Sequence, residues 1–237
     1  MIYAAIGRRM RGKTTWIYFH ASKLPQRVVF DPRRQIRQHS DRSIVVSTSD
    51  EIETAMDRLF TDRKLEEIVI VPADDPLPVF ETLCAEVRHW IELDDRRPLA
   101  VVIDEARFIK PVMDNPPCAW ILRCSPLDTV HIFFSAHRPS DLTTDARAIV
   151  DRMILFHATQ EHDLKVIDER CGSDVAEKVR TLDQFAFVEW DDGQGKAFVH
   201  DDPSKWYIAL RDEQRENRMK VVQGGRRFGN GRLFEGE

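Results

Sequence analysis

The sequence predicts an α/β fold, a mostly parallel sheet flanked by helices, and two observations predict it. Short apolar runs alternate with stretches of helical periodicity, the pattern of repeated strand-helix-strand units. One run, Leu99-Ala-Val-Val-Ile103, is apolar throughout and stops on Asp104 and Glu105, as a doubly covered parallel strand does where its carboxyl end meets a ligand crevice.

In chain order, strands are expected over 2–6, 27–30, 43–46, 68–71, 99–103, 130–135 and 152–156. Between them, Ile52, Met56, Leu59 and Phe60 recur at helical spacing over 50–60, behind a Ser49/Asp50 cap. Val79, Leu83, Val87 and Trp90 do the same over 79–91. From about Asp183 the pattern changes to two short β runs, 185–190 and 196–199, around Asp191-Asp-Gly-Gln-Gly195. That reads as a hairpin on the sheet's edge. From Arg211 on, seven Lys and Arg face five acids, and five of the ten glycines lie between 224 and 236. This end is either a solvated tail or a nucleic-acid or subunit contact that orders on binding.

Composition bounds the function. At 237 residues the chain holds one large domain, or one domain with an appendage, and excludes a multi-domain machine. With 35 Lys and Arg against 40 Asp and Glu, the formal charge of −5 argues against a general nucleic-acid coat. The average hides an asymmetry: residues 1–40 carry nine basic side chains and one acid, a net +8, so the other 197 carry −13. Cys84, Cys118, Cys124 and Cys171 form no C-x-x-C pair, so neither a zinc site nor a disulfide framework is expected. No apolar run nears the ~20 residues that span a bilayer, and the opening residues lack the charged start and long apolar run of a signal peptide. The expectation is a soluble, intracellular protein.

The strongest local signal is Gly7-Arg8-Arg9-Met10-Arg11-Gly12-Lys13-Thr14, which fits G-x-x-x-x-G-K-S/T between an expected strand and an expected helix. Glycines let such a loop wrap closely, so that backbone N–H groups and the helix N-terminus face phosphate oxygens. The expected nucleotide-binding residues are Gly7, Arg8, Arg9, Met10, Arg11, Gly12, Lys13, Thr14 and Thr15. Lys13 is expected to reach the β- and γ-phosphates of ATP, and the Thr14 hydroxyl to hold Mg²⁺. Asp104 is the second expected Mg²⁺ residue, and Glu105 the group that polarises the attacking water. An acid in that place favours hydrolysis over phosphoryl transfer. A third strand ends in Ser135-Ala-His137, and His137 is the expected sensor of the γ-phosphate.

In order, Gly7 to Thr14, Val28-Val-Phe-Asp31-Pro-Arg33, Val102-Ile-Asp104-Glu105 and Ser135-Ala-His137-Arg138-Pro139-Ser140-Asp141-Leu142 resemble the motifs of the HerA/FtsK superfamily of P-loop ATPases that pump DNA. The segments 152–156 and 161–167 are similar to that family's closing strand and Asp-containing helix, so the resemblance runs from about residue 2 to 170. The compact size is most similar to the genome-packaging ATPases of tailless, internal-membrane (tectivirus-like) phages. The resemblance implies a P-loop NTPase fold of the ASCE/RecA-like kind over 1–210, followed by the basic tail 211–237. It also implies a homo-oligomeric ring, a hexamer, that packages double-stranded DNA. A capsid vertex or virion membrane protein is the implied docking partner, and the virion vertex and host cytoplasm the location. Such rings place an arginine from the neighbouring subunit at the site; Arg152 is the first choice by motif match and Arg147 the second, with a surface ion pair as the other reading for either. Two positions depart from the family. His137 stands where it has glutamine, and Arg8, Arg9 and Arg11 stand where small residues are usual, to face nucleotide, DNA or a neighbour. The other functional classes are a filamentous-phage assembly or secretion ATPase, a cellular HerA-like DNA-processing ATPase, and a binding module that ATP only switches.

Overall fold

The computed structural model describes residues 1–35, 42–62, 64–93, 97–124 and 129–201. Nine strands form one sheet: β1 (Ile2–Ile6), β2 (Gln26–Phe30), β3 (Ser43–Val46), β4 (Glu67–Ile70), β5 (Leu99–Ile103), β6 (Val130–Ala136), β7 (Arg152–Phe156), β8 (Phe187–Asp191) and β9 (Lys196–His200). Their spatial order is β3-β4-β2-β5-β6-β1-β7-β8-β9. The pairings from β3 across to β7 are parallel, and β8 and β9 add to β7 as an antiparallel hairpin. Helices α1 (Lys13–Ala21), α2 (Ser49–Thr61), α3 (Pro76–Glu92), α4 (Pro116–Cys124), α5 (Thr144–Ala148), α6 (Glu161–Cys171) and α7 (Ser173–Thr181) lie between the strands, with short 3₁₀ turns at Ala106–Phe108, Lys110–Val112 and Pro139–Asp141.

Every residue of β2, β4 and β5 is buried, as strands covered on both faces must be. Their burial includes charge. Arg27 at the start of β2 pairs with Glu67 of β4 at 3.0 Å, and the Ser43 hydroxyl of β3 adds a bond at 3.1 Å, so three strands share one satisfied polar cluster. α2 starts one residue earlier than expected. Thr48, not Ser49 or Asp50, is its cap: its hydroxyl accepts from the Glu51 N–H while the Glu51 carboxylate accepts from the Thr48 N–H at 3.1 Å. α3 begins on an Asp75 side chain bonded to the Leu77 N–H, with Pro76 in the first turn, where a missing N–H costs nothing.

The hairpin sits on the sheet's edge as expected, but β8 starts two residues late. Phe185 has φ 68°, a left-handed turn that an extended strand does not contain. The basic tail 211–237 lies outside the described residues. Among the described residues, no helix is long and apolar enough to cross a membrane. Cys84, Cys118 and Cys171 are buried and free.

Candidate active site

The order β2-β5-β6-β1 sets four carboxyl ends side by side, and every expected motif lies on one of them. The Gly7 N–H donates to the Ala136 carbonyl at 3.1 Å, joining the phosphate loop to the end of β6. The Asp104 N–H donates to the Phe30 carbonyl at 3.0 Å, joining the Asp-Glu pair to the end of β2. The crevice is therefore fixed by backbone, and the side chains above it do the rest.

Gly7, Met10 and Gly12 all have positive φ, 151°, 56° and 102°, so the loop between β1 and α1 turns back on itself. Lys13 is buried, and its ammonium donates to the carbonyls of Gly7 at 2.7 Å and Arg8 at 2.9 Å. Burial pushes its pKa down to about 8 against the opposing pull of Glu105 and Asp104. Thr14 and Thr15 are half-buried in the first turn of α1. Arg8, Arg9 and Met10 are exposed, and Met10 projects fully at 86%. Burial, then the cations of Arg11 and Arg8, lower the pKa of His157 just beyond β7, which places both arginines toward that side of the loop.

Lys13 Nζ stands 3.4 Å from His137 Nδ1, and His137 Nε2 stands 2.7 Å from Glu105 Oε1. With the ring proton on Nε2, His137 donates to Glu105 and accepts from Lys13, so three motifs close into one chain. Asp141 holds the histidine in place, accepting the N–H groups of His137 and Arg138 at 2.8 and 2.9 Å. Glu105 also faces Arg33 at 3.4 Å and Arg107 at 3.6 Å. Its backbone is left-handed, φ 58°, a strained geometry of the kind concentrated at functional sites.

Asp104 is buried, accepts from the Ser135 hydroxyl, and keeps one oxygen, Oδ2, without a hydrogen-bond partner. Burial, then the neighbouring Asp31, push its carboxyl up to about 6. An orphaned, buried carboxylate oxygen suits a hard cation. Among the described residues no group of three or more His, Cys, Asp or Glu could hold a metal by itself. The orphaned Asp104 oxygen fits Mg²⁺, which takes one or two protein oxygens and completes its shell with water and substrate phosphate.

Two expected residues stand apart from this constellation. Arg152 opens β7, in register with Tyr3 near the start of β1 and so toward the opposite end of the strands; its guanidinium pairs with Glu189 and, at 3.1 Å, with Asp191. Arg147 donates to the carbonyls of Pro139 and Leu142 at 3.0 and 3.1 Å, bracing the turn after β6. Sequence reasoning missed Arg107 and Asp141 as site residues. Arg107 carried a signal in lying two residues after Glu105, and Asp141 in standing where its carboxylate can accept the N–H groups of a turn.

No protein-family model and no curated protein matches the chain. Solved structures do. The genome packaging NTPase B204 from Sulfolobus turreted icosahedral virus 2, in complex with ATP-gammaS, matches at 21% identity over 84% of this chain and 95% of its own, with a TM-score of 0.66. B204, the DNA-packaging ATPase from Sulfolobus turreted icosahedral virus, matches at 21% identity over 84% and 96%, TM-score 0.62. EssC (ATPases 2 and 3) from Geobacillus thermodenitrificans matches at 11% identity over 94% of this chain but 44% of its own, TM-score 0.50. Such identities speak for backbone architecture alone, and with the phosphate loop and acidic strand end already in place they settle it: this chain has the P-loop NTPase fold.

Proposed function

We propose that the protein is a Mg²⁺-dependent ATP hydrolase that moves double-stranded DNA as a subunit of a hexameric ring and packages a viral genome. The observation that carries the reading is the chain Lys13–His137–Glu105, which unites the phosphate lysine, a polar sensor and an acid at adjacent strand ends. Lys13 exchanges its two loop carbonyls for phosphate oxygens, and the loop's backbone N–H groups hold the rest of the triphosphate. His137 reports the γ-phosphate, since it already touches both Lys13 and Glu105. Glu105 orients the attacking water and takes its proton. Mg²⁺, when bound, supplies the charge that offsets the phosphates, with Asp104 and Thr14 as its protein oxygens.

The likeness to the two B204 structures supports the packaging role, and the resemblance to tectivirus-like packaging ATPases supports docking at a virion vertex through a capsid or membrane protein. Arg152 and Arg147 remain the proposed arginines for a neighbouring site. Arg152 is the less free of the two for that role while Glu189 and Asp191 hold it. Arg8 and Arg9, exposed beside the nucleotide loop, are proposed to meet DNA or a neighbouring subunit.

The test is steady-state phosphate release with and without duplex DNA, with Lys13→Ala alongside. The parent hydrolyses ATP and DNA accelerates it; Lys13→Ala loses at least ~10²-fold in turnover while its far-UV circular dichroism is unchanged. Parental rates in Lys13→Ala sink the site assignment, and a DNA-indifferent ATPase sinks the translocase.

A further inference from the structure

Register carries a second carboxylate to the end of β5. Phe30 of β2 pairs with Ile103 of β5, and Ile103 with Phe134 of β6, so one step further along each strand Asp31, Asp104 and Ser135 stand in a row. The bond from the Asp104 N–H to the Phe30 carbonyl, at 3.0 Å, carries the pairing into that step. Paired positions of parallel strands share a face, and neighbouring strands lie about 4.8 Å apart. The row is on the face that α1 covers: Ala5 pairs with Ser135, and Tyr3, two residues earlier on the same face, meets Trp16 of α1 at 5.9 Å between ring centroids.

Neither acid reaches the surface, at 0% exposure for Asp31 and 2% for Asp104. Two carboxylates side by side out of water repel one another, and each has lost its hydration. Asp31 is fixed in the row by its own turn, Oδ1 accepting the N–H groups of Arg33 and Gln35 at 3.3 and 3.0 Å. That turn needs no charge, because an asparagine oxygen accepts the same bonds. Beside it, Asp104 Oδ2 is buried without a hydrogen-bond partner. The Lys13 ammonium is tied to the carbonyls of Gly7 and Arg8. A compact, doubly charged cation answers both acids at once, and carboxylate oxygens are what such an ion takes.

We infer that Asp31 is the second carboxylate of the Mg²⁺ site, joining Asp104 from the neighbouring strand. The inference rests on the proposed role of Asp104 toward Mg²⁺ and adds a residue to it. With Thr14 the site then offers two carboxylates and a hydroxyl, and leaves the rest of the ion's shell to water and phosphate. The same pair repels a triphosphate that arrives without its metal, so the two acids make nucleotide binding depend on the ion.

The experiment follows Mn²⁺, a paramagnetic stand-in for Mg²⁺, through the electron paramagnetic resonance signal of the free ion. The full chain with a non-hydrolysable ATP analogue is titrated as the parent, Asp31→Asn, Asp31→Ser and Asp104→Asn. Analogue binding is measured again in EDTA, and thermal melts show which variants are folded. Asp31→Asn keeps an acceptor for the Arg33 and Gln35 N–H groups and removes only the charge. It is expected to bind Mn²⁺ about 10-fold more weakly or worse, yet to bind the analogue in EDTA as well as the parent or better. Asp31→Ser behaves alike and stands in should the asparagine variant not fold. If a folded Asp31 variant holds Mn²⁺ as tightly as the parent, or loses analogue binding equally in EDTA and in Mn²⁺, Asp31 serves its turn alone and the inference is overturned. The reading of Asp104 then stands on its own variant. If Asp104→Asn also holds Mn²⁺ like the parent, the metal site itself is misplaced and both fall.

Discussion

A methyl group at position 7 has nowhere to go. A Cβ there would lie 2.6 Å from the Phe156 Cβ and 3.2 Å from that residue's carbonyl, and Phe156 is locked in the core at 1% exposure. The backbone at Gly7 also has φ 151°. Gly7→Ala is therefore expected to destabilise the fold by about 1–3 kcal/mol, as overpacking does, and to weaken binding of an ATP analogue. Urea unfolding and a binding titration check the two parts. That Gly7 belongs to a phosphate loop was legible in the sequence; that its glycine also makes room for β7 was not, because the partner strand arrives from far along the chain. Arg107 shows the same limit. Its type and position were visible, but a contact with Glu105 depends on that acid's left-handed backbone, which no periodicity reveals.

The central parallel strands were readable because burial on both faces leaves unbroken apolar runs; the edge hairpin, whose second strand is exposed, was readable from two short β runs around a Gly-containing turn. The errors fell at ends, where one side chain outvotes a pattern: Thr48 takes the cap of α2, and Phe185 delays β8. Thr48→Ala removes a reciprocal cap and is expected to cost about 1 kcal/mol, measurable as a shift of the urea midpoint at constant slope. The Arg27–Glu67 pair carries more. Arg27→Leu leaves a carboxylate with a side chain 1% exposed and without its cation, at a cost of about 3–5 kcal/mol. Arg27→Leu combined with Glu67→Leu recovers much of that loss if the penalty comes from the stranded charge. Of the strand order, only the place of the Ser135–His137 strand between the phosphate-loop strand and the Asp-Glu strand was expected from the sequence; the rest was not legible, since pairing across a sheet is set by contacts distant in sequence.

The acid stability of the whole fold turns in part on His20. It stacks on Trp16 at 4.1 Å between ring centroids, and burial, with Lys23 adding to it, pushes its pKa down to about 4. An unfolded histidine titrates near ~6.5. Below that pH the unfolded chain takes up a proton that the native chain refuses, so stability falls as pH drops from about 6.5 to about 4 and levels off beneath. His20→Phe keeps the stack and removes the proton, so its melting temperature is expected to fall less than the parent's across that window. Parallel melts at pH 7 and pH 4.5 decide it.

The central place of β1 carries a consequence for biosynthesis. Among the described residues β1 pairs with β6 and β7, which begin at Val130 and Arg152, while β2 pairs with β4 and β5 earlier in the chain. On the ribosome, Ile2–Ile6 and the loop behind it must wait, unpaired, until more than half of the polypeptide has emerged. Nascent chains arrested before Val130 therefore hold β1 and the loop behind it without either neighbouring strand, and are expected not to retain ATP.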